Sequence, residues 1–171
     1  MRKLLLAALL AAAPGCKHAA VPSTDTIEEA PRLASVVQMS DRGMANQLAG
    51  GFYEIESDAW RWTAQKFAVK LRPPAGVGPQ GAVLELHLTV PPPSIAKLGP
   101  ITLTATAGDT VLAPETYAKA GEYTYRRDIA ANLLTGDSVR IDFQLDKAMP
   151  PSDADKRQLG IIVSSVGLVS R

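Results

Sequence analysis

Apolar and polar residues alternate with a period of two through much of the chain. Phe67, Val69 and Leu71 alternate with Lys66, Ala68, Lys70 and Arg72, and Leu84, Leu86, Leu88 and Val90 with Val83, Glu85, His87 and Thr89. Ile101, Leu103 and Ala105 alternate with Thr102, Thr104 and Thr106, and Val139, Ile141, Phe143 and Leu145 with Arg140, Asp142, Gln144 and Asp146. Each run has one apolar and one polar face, the pattern of a strand that covers a core on one side. The proline-rich stretch from Pro73 to Pro79 and the Pro91-Pro92-Pro93 triplet end strands, because proline has no amide proton for a ladder. Gly108-Asp109 and Gly136-Asp137 read as tight reversals. Further strands are expected at 35–39, 51–55, 110–113, 122–127 and 160–169, and no helix longer than two turns is expected. About nine or ten short strands separated by turns predict an all-β fold, a single antiparallel β-sandwich over residues 34–171.

The start of the chain follows a different pattern. Met1-Arg2-Lys3 is a short positive segment, and Leu4 to Ala13 is an unbroken run of ten apolar residues. At 1.5 Å per residue such a helix is about 15 Å long, against a bilayer core of about 30 Å. The run therefore reads as the apolar part of a signal peptide and not as a spanning helix. It passes through Ala13-Pro14-Gly15 into Cys16, the single cysteine of the chain. This junction resembles the lipobox of bacterial lipoproteins, in which the cysteine is lipidated and becomes the new N-terminus. A buried or incidental cysteine, or an ordinary secretory signal cut nearby, is the alternative reading of the same residues. The resemblance implies a signal peptide over residues 1–15 and membrane attachment through Cys16. By the same resemblance, to Gram-negative lipoproteins, Lys17 in place of an aspartate after the cysteine implies an envelope location at the outer membrane, facing the periplasm. Residues 16–33 carry two prolines and no sustained period, as a flexible tether does.

Charge narrows the partners. Eighteen Lys and Arg stand against 17 Asp and Glu. Loss of Arg2 and Lys3 with the signal would leave 16 basic residues against the same 17 acidic ones, so attraction to anionic lipid is weak. Acyl chains would then carry the attachment, at about 0.8 kcal/mol per buried methylene. A near-neutral chain also lacks the dominant basic surface of a nucleic-acid-binding protein, and no nucleic acid partner is expected. One cysteine allows no intrachain disulfide and no multi-cysteine metal site.

Catalytic chemistry finds little support. Only His18, in the tether, and His87, in the middle of a strand, could act as an imidazole base or ligand, so neither a hydrolytic triad nor a zinc or iron site is indicated. No glycine-rich phosphate loop leads into a helix, and no cofactor is expected. The carboxylate pairs Glu54/Glu56 and Asp153/Asp155 would suit a glycosidase only if the fold set them across a cleft.

The densest polar and aromatic stretch is Gly51-Phe52-Tyr53-Glu54-Ile55-Glu56-Ser57-Asp58-Ala59-Trp60-Arg61-Trp62-Thr63, and it holds both tryptophans. Near the other end lies Asp153-Ala154-Asp155-Lys156-Arg157-Gln158-Leu159-Gly160-Ile161. Together the two segments resemble a jelly-roll, galactose-binding-like β-sandwich that serves as an accessory domain in bacterial polysaccharide and glycosyl-transfer proteins. Glu56, Arg61, Trp62, Thr63, Asp155, Arg157, Leu159, Gly160 and Ile161 fall on its pattern, and the likeness covers about residues 48–169. It implies a sandwich fold and a glycan partner.

These residues support two readings. Trp60 and Trp62 share a strand face and would stack on the C–H face of a sugar ring, while Glu56, Arg61 or Arg157 hydrogen-bonds its hydroxyls. Alternatively the tryptophans belong to the core, and Glu56, Arg61, Asp155 and Arg157 pair to close the sandwich. A second polar-aromatic strand, Glu122 to Asp128, puts Tyr123, Tyr125 and Arg127 on one face, read as a binding surface or as an exposed face with cross-strand pairs. The leading expectation is a non-enzymatic cell-envelope lipoprotein whose sandwich binds a saccharide through Glu56, Trp60, Arg61, Trp62 and Arg157. The alternative is a structural or assembly lipoprotein that binds a protein partner in an envelope complex through a strand edge.

Overall fold

A computed structural model describes residues 33–171. The expected signal peptide, Cys16 and the tether up to residue 32 lie outside the described residues. Ten strands follow in chain order: β1 Val36–Gln38, β2 Leu48–Glu56, β3 Trp60–Leu71, β4 Ala82–Val90, β5 Ile101–Ala107, β6 Thr110–Val111, β7 Glu115–Tyr117, β8 Gly121–Ile129, β9 Val139–Leu145 and β10 Ile162–Ser170. All their pairings are antiparallel. A helix of seven residues, α1 (Pro92–Leu98), follows β4. The proline triplet thus ends a strand and also opens a helix, because proline's fixed φ suits the first helical turn.

The pairing resolves into two layers. One runs β2-β3-β9-β5, with β6 and β7 both on the outer side of β5; the other runs β1-β10-β4-β8. They meet at a corner where the first residues of β10 pair with the start of β3, Ile162 with Trp62 and Val163 with Arg61. The fold is the antiparallel β-sandwich that the alternation predicts. Both layers send their apolar alternates into one core, which includes Phe67, Val69, Leu71, Leu103, Ile141 and Phe143 from the first and Leu84, Leu86, Tyr125, Val166 and Leu168 from the second. Phe67 stacks on Phe143 with ring centres 4.8 Å apart, across the β3–β9 ladder.

Gln47 fixes the point where the chain enters the domain. Its buried side chain accepts from the Ala34 amide at 2.7 Å and donates to the carbonyls of Ala34 (3.0 Å) and Lys70 (2.7 Å). The amide of a single side chain here does what a neighbouring strand would do.

One face is the reverse of what exposure of the Glu122–Asp128 strand would give. Tyr125 is fully buried and Tyr123 packs against the core, so the tyrosines of β8 face inward. Glu122, Thr124 and Arg126 form the exposed face. A layer with one side against the core must turn its bulkier apolar alternates inward, and the tyrosine rings outweigh threonine and glutamate there.

Candidate functional site

The two segments that stand about a hundred residues apart in sequence meet at the corner of the sandwich. Arg157 donates to Glu56 at 2.7 Å and holds Asp155 through both its Nε and its terminal nitrogen, the latter at 2.8 Å. Its guanidinium also lies 5.2 Å from the centre of the Tyr53 ring, and the Tyr53 hydroxyl donates to the Gln158 carbonyl at 2.8 Å. Hydrogen bonds from the Arg157 side chain and main-chain amide hold the Asp155 carboxyl at about 2, and Asp155 and then Glu56 push the Arg157 guanidinium up. Both partners of Arg157 are carboxylates of its own chain, so the cluster is a clasp that pins the 153–159 loop on β2.

Arg61 is turned into the protein. It is 7% exposed and donates to the main-chain carbonyls of Met39 (3.3 Å) and Tyr53 (2.8 Å). Thr63 beside it completes the corner. Its amide donates to the Ile161 carbonyl at 2.9 Å, the Gly160 amide donates to its carbonyl at 2.7 Å, and its hydroxyl accepts from the Ile161 amide at 3.2 Å. A Cβ at Gly160 would fall 2.7 Å from that hydroxyl, which is why glycine stands there. Of the residues expected to bind a ligand, Glu56, Arg61 and Arg157 therefore hold one another's neighbourhood together. Trp60 and Trp62 are half-buried on one face of β3, with ring centres 6.3 Å apart at 80°. Set edge to face, they present no continuous flat platform; Trp62 braces Trp60.

A wide concavity lies elsewhere, on the outer face of the first layer. It is an open groove of about 680 Å³ that crosses β2, β3, β9, β5 and β6. One ladder row runs straight across it: Gly50 opposite Ala68, Ala68 opposite Asp142, Asp142 opposite Thr106, and Thr106 opposite Val111. The row beside it sets Lys66, Gln144 and Thr104 in line. Depth comes from the small residues Ala49, Gly50, Gly51 and Ala68, and the exposed Val111 stands at the far rim. Gly51 has φ 75°, and a Cβ there would lie 2.0 Å from the Lys66 carbonyl, so only glycine lets β2 follow β3 this closely.

The groove mixes donors and acceptors. Arg140 grips Asp142 through two nitrogens, at 2.7 and 2.9 Å. Asp146 accepts from the Thr102 amide at 2.7 Å, and the Thr102 and Thr116 hydroxyls lie 2.9 Å apart. By composition these side chains are ordinary solvent-facing alternates of three separate strands. Strand order alone makes them neighbours, and the one local signal of a groove is the Gly50-Gly51 pair. Among the described residues no group of three or more His, Cys, Asp or Glu side chains is placed to hold a metal ion.

The fold and this face define the class: an antiparallel β-sandwich with an open polar groove across one layer. No protein-family model and no curated protein matches the sequence. Among solved structures, the chain is similar to one described as "CBM4 structure and function", at 13% identity and a TM-score of 0.38, covering 80% of this chain and 85% of that one. It is also similar to dimeric latent PorU from Porphyromonas gingivalis, at 9% identity and a TM-score of 0.35, covering 62% of this chain. The chain spans only 10% of the length of that PorU. The strand pairing, and not either likeness, carries the fold assignment.

Proposed function

We propose that the sandwich is a non-enzymatic binding module for a saccharide, held in the groove across the first layer and displayed at the cell envelope through lipidated Cys16. The observation that carries the reading is the pair of ladder rows from Gly50 to Val111 and from Lys66 to Thr104. A sugar chain offers a donor and an acceptor at nearly every carbon, between small apolar C–H faces. The groove offers the complement: Lys66 and Arg140 as donors, Asp142 and Asp146 as acceptors, Gln144 and the threonine hydroxyls as both, and Ala68 and Val111 as apolar contacts. Its volume falls in the range of roughly 300–1,000 Å³ typical of small-ligand sites. The groove is open, so an extended chain can pass along it. The envelope location rests on the positive start, the ten-residue apolar run and the placement of Cys16.

Calorimetric titration of the full chain with a panel of neutral and acidic polysaccharide fragments tests this reading. At least one fragment is expected to bind saturably, and Gln144→Ala and Asp142→Ala are each expected to weaken it roughly tenfold or more, as loss of a hydrogen bond to or from a charged or amide group does. Absence of binding by every fragment, or variants that bind as the unaltered chain does, would overturn it and direct the search to a protein partner.

A further inference from the structure

The opposite face of the sandwich carries a second depression, of about 410 Å³, lined by Trp60, His87, Thr89, Glu122, Thr124 and Ser164 among others. They come from four strands that are scattered along the chain, and the register brings them together. His87 stands opposite Thr124 and Thr89 opposite Glu122 across β4–β8, and Thr89 stands opposite Ile162 across β4–β10. Ile162 in turn pairs with Trp62 of β3, which places Trp60 at the edge of the same strip.

Two features distinguish this strip from an ordinary polar sheet face. The β4–β10 register shifts between Val163 and Ser165, so Ser164 is the extra residue of a bulge. It is exposed between buried Val163 and buried Ser165, and its hydroxyl lies 3.5 Å from the His87 carbonyl. Bulges of this kind re-aim a side chain and recur beside functional sites. The second feature is the indole of Trp60, half-buried and braced at a steep angle by Trp62. A large ring kept partly in water but fixed in orientation offers its face to a ligand at small entropic cost. Around it stand one carboxylate (Glu122), three hydroxyls (Thr89, Thr124 and Ser164) and an imidazole whose Nδ1 lies 3.1 Å from the Thr124 hydroxyl.

We infer that this depression is a second saccharide subsite, in which a sugar ring lies against Trp60 and its hydroxyls reach Glu122, Thr124 and Ser164. The inference rests on the saccharide reading of the groove and extends it: two sites on opposite layers give one domain two grips on a polysaccharide, or one on each of two chains. Linked sites of this kind raise overall avidity without any new contact at either.

The two sites can be told apart because Trp60 lines the second, Trp62 packs on Trp60, and neither lines the first. The full chain is titrated with soluble β-glucan, xylan and chitin-type oligosaccharides, calorimetry counting sites and tryptophan emission reporting the second. The expected result is two sites per chain for at least one sugar, with a saturable emission change. Trp60→Ala should reduce the count from two to one and abolish the emission change. Glu122→Gln, at an exposed position that leaves the fold intact, should weaken the emission-linked site tenfold or more. A single site removed by Gln144→Ala, with no emission change and no effect of either Trp60→Ala or Glu122→Gln, would overturn this inference and leave the groove standing. A single site removed by Trp60→Ala and Glu122→Gln but untouched by Gln144→Ala would overturn the groove and, with it, the two-site inference, leaving Trp60 at the one saccharide site. Absence of heat with every sugar would overturn both.

Discussion

Thr63→Val isolates the hydrogen bond that closes the corner of the sandwich. Thr63 is fully buried, and its hydroxyl both accepts from the Ile161 amide and donates to the Ile161 carbonyl, each at 3.2 Å. Valine fills nearly the same volume, so the change opens almost no cavity. The Ile161 carbonyl keeps the Thr63 amide as donor at 2.9 Å, but the Ile161 amide, on a residue that is itself 0% exposed, loses the hydroxyl. An orphaned buried donor costs about 1–3 kcal/mol. For a domain of this size, at about 4 °C per kcal/mol, the melting temperature should fall by roughly 4–12 °C. Urea unfolding followed by the emission of Trp60 and Trp62 reads the same loss as a lower midpoint with an unchanged slope. Thr63→Ser, which keeps the hydroxyl, should lose only the packing of one methyl, about 1 kcal/mol. A Thr63→Val chain as stable as the unaltered one would show that the corner does not depend on this hydroxyl, and the account of Thr63 as the residue that completes the corner would fall.

Further expectations concern other parts of the sandwich. Among the described residues the buried Tyr117 hydroxyl has no hydrogen-bond partner, and burial raises its pKa, so Tyr117→Phe should leave thermal stability unchanged or raise it by up to about 1 kcal/mol; a clear loss would reveal a partner for the hydroxyl. Asp155 titrates at about 2 when folded against 3.8 for the ordinary carboxyl, so its contribution is present above pH 4 and is lost as pH falls from about 4 to 2. Asp155→Asn should flatten the stability profile in that window, and an unchanged profile would show that the clasp is not coupled to folding. Gly51→Ala should destabilise by more than about 2 kcal/mol, because its Cβ meets the Lys66 carbonyl at 2.0 Å in a left-handed conformation. Gly76→Ala, with a similar φ of 72° but, among the described residues, nothing within 4 Å of its Cβ, should cost only the backbone strain, about 1 kcal/mol. Equal losses in chemical denaturation would refute the close approach of β2 to β3.

The class of fold and most of the strands are legible in the residue pattern. A period of two with one apolar face leaves few alternatives when prolines and Gly-Asp pairs cut the chain into short runs, and β4, β5 and β9 lie within a residue or two of where the alternation puts them. The Gly51–Thr63 and Asp153–Ile161 segments are joined in the sequence only by their resemblance to an accessory-domain pattern, and their chemistry is that of carboxylates and arginines that need partners. Which partners they take is not legible, because an arginine reads the same whether it faces a sugar or a carboxylate of its own chain. Packing in three dimensions closes Arg157 on Asp155 and Glu56 and turns Arg61 toward two main-chain carbonyls. Packing also makes Tyr125 part of the core. Both depressions depend on strand order: β9 sits between β3 and β5, and β4 between β10 and β8, although none of these neighbours is consecutive along the chain. Alternation fixes which side of its own strand a residue faces, whereas long-range pairing, driven by the shared core, fixes which other side chains it meets there.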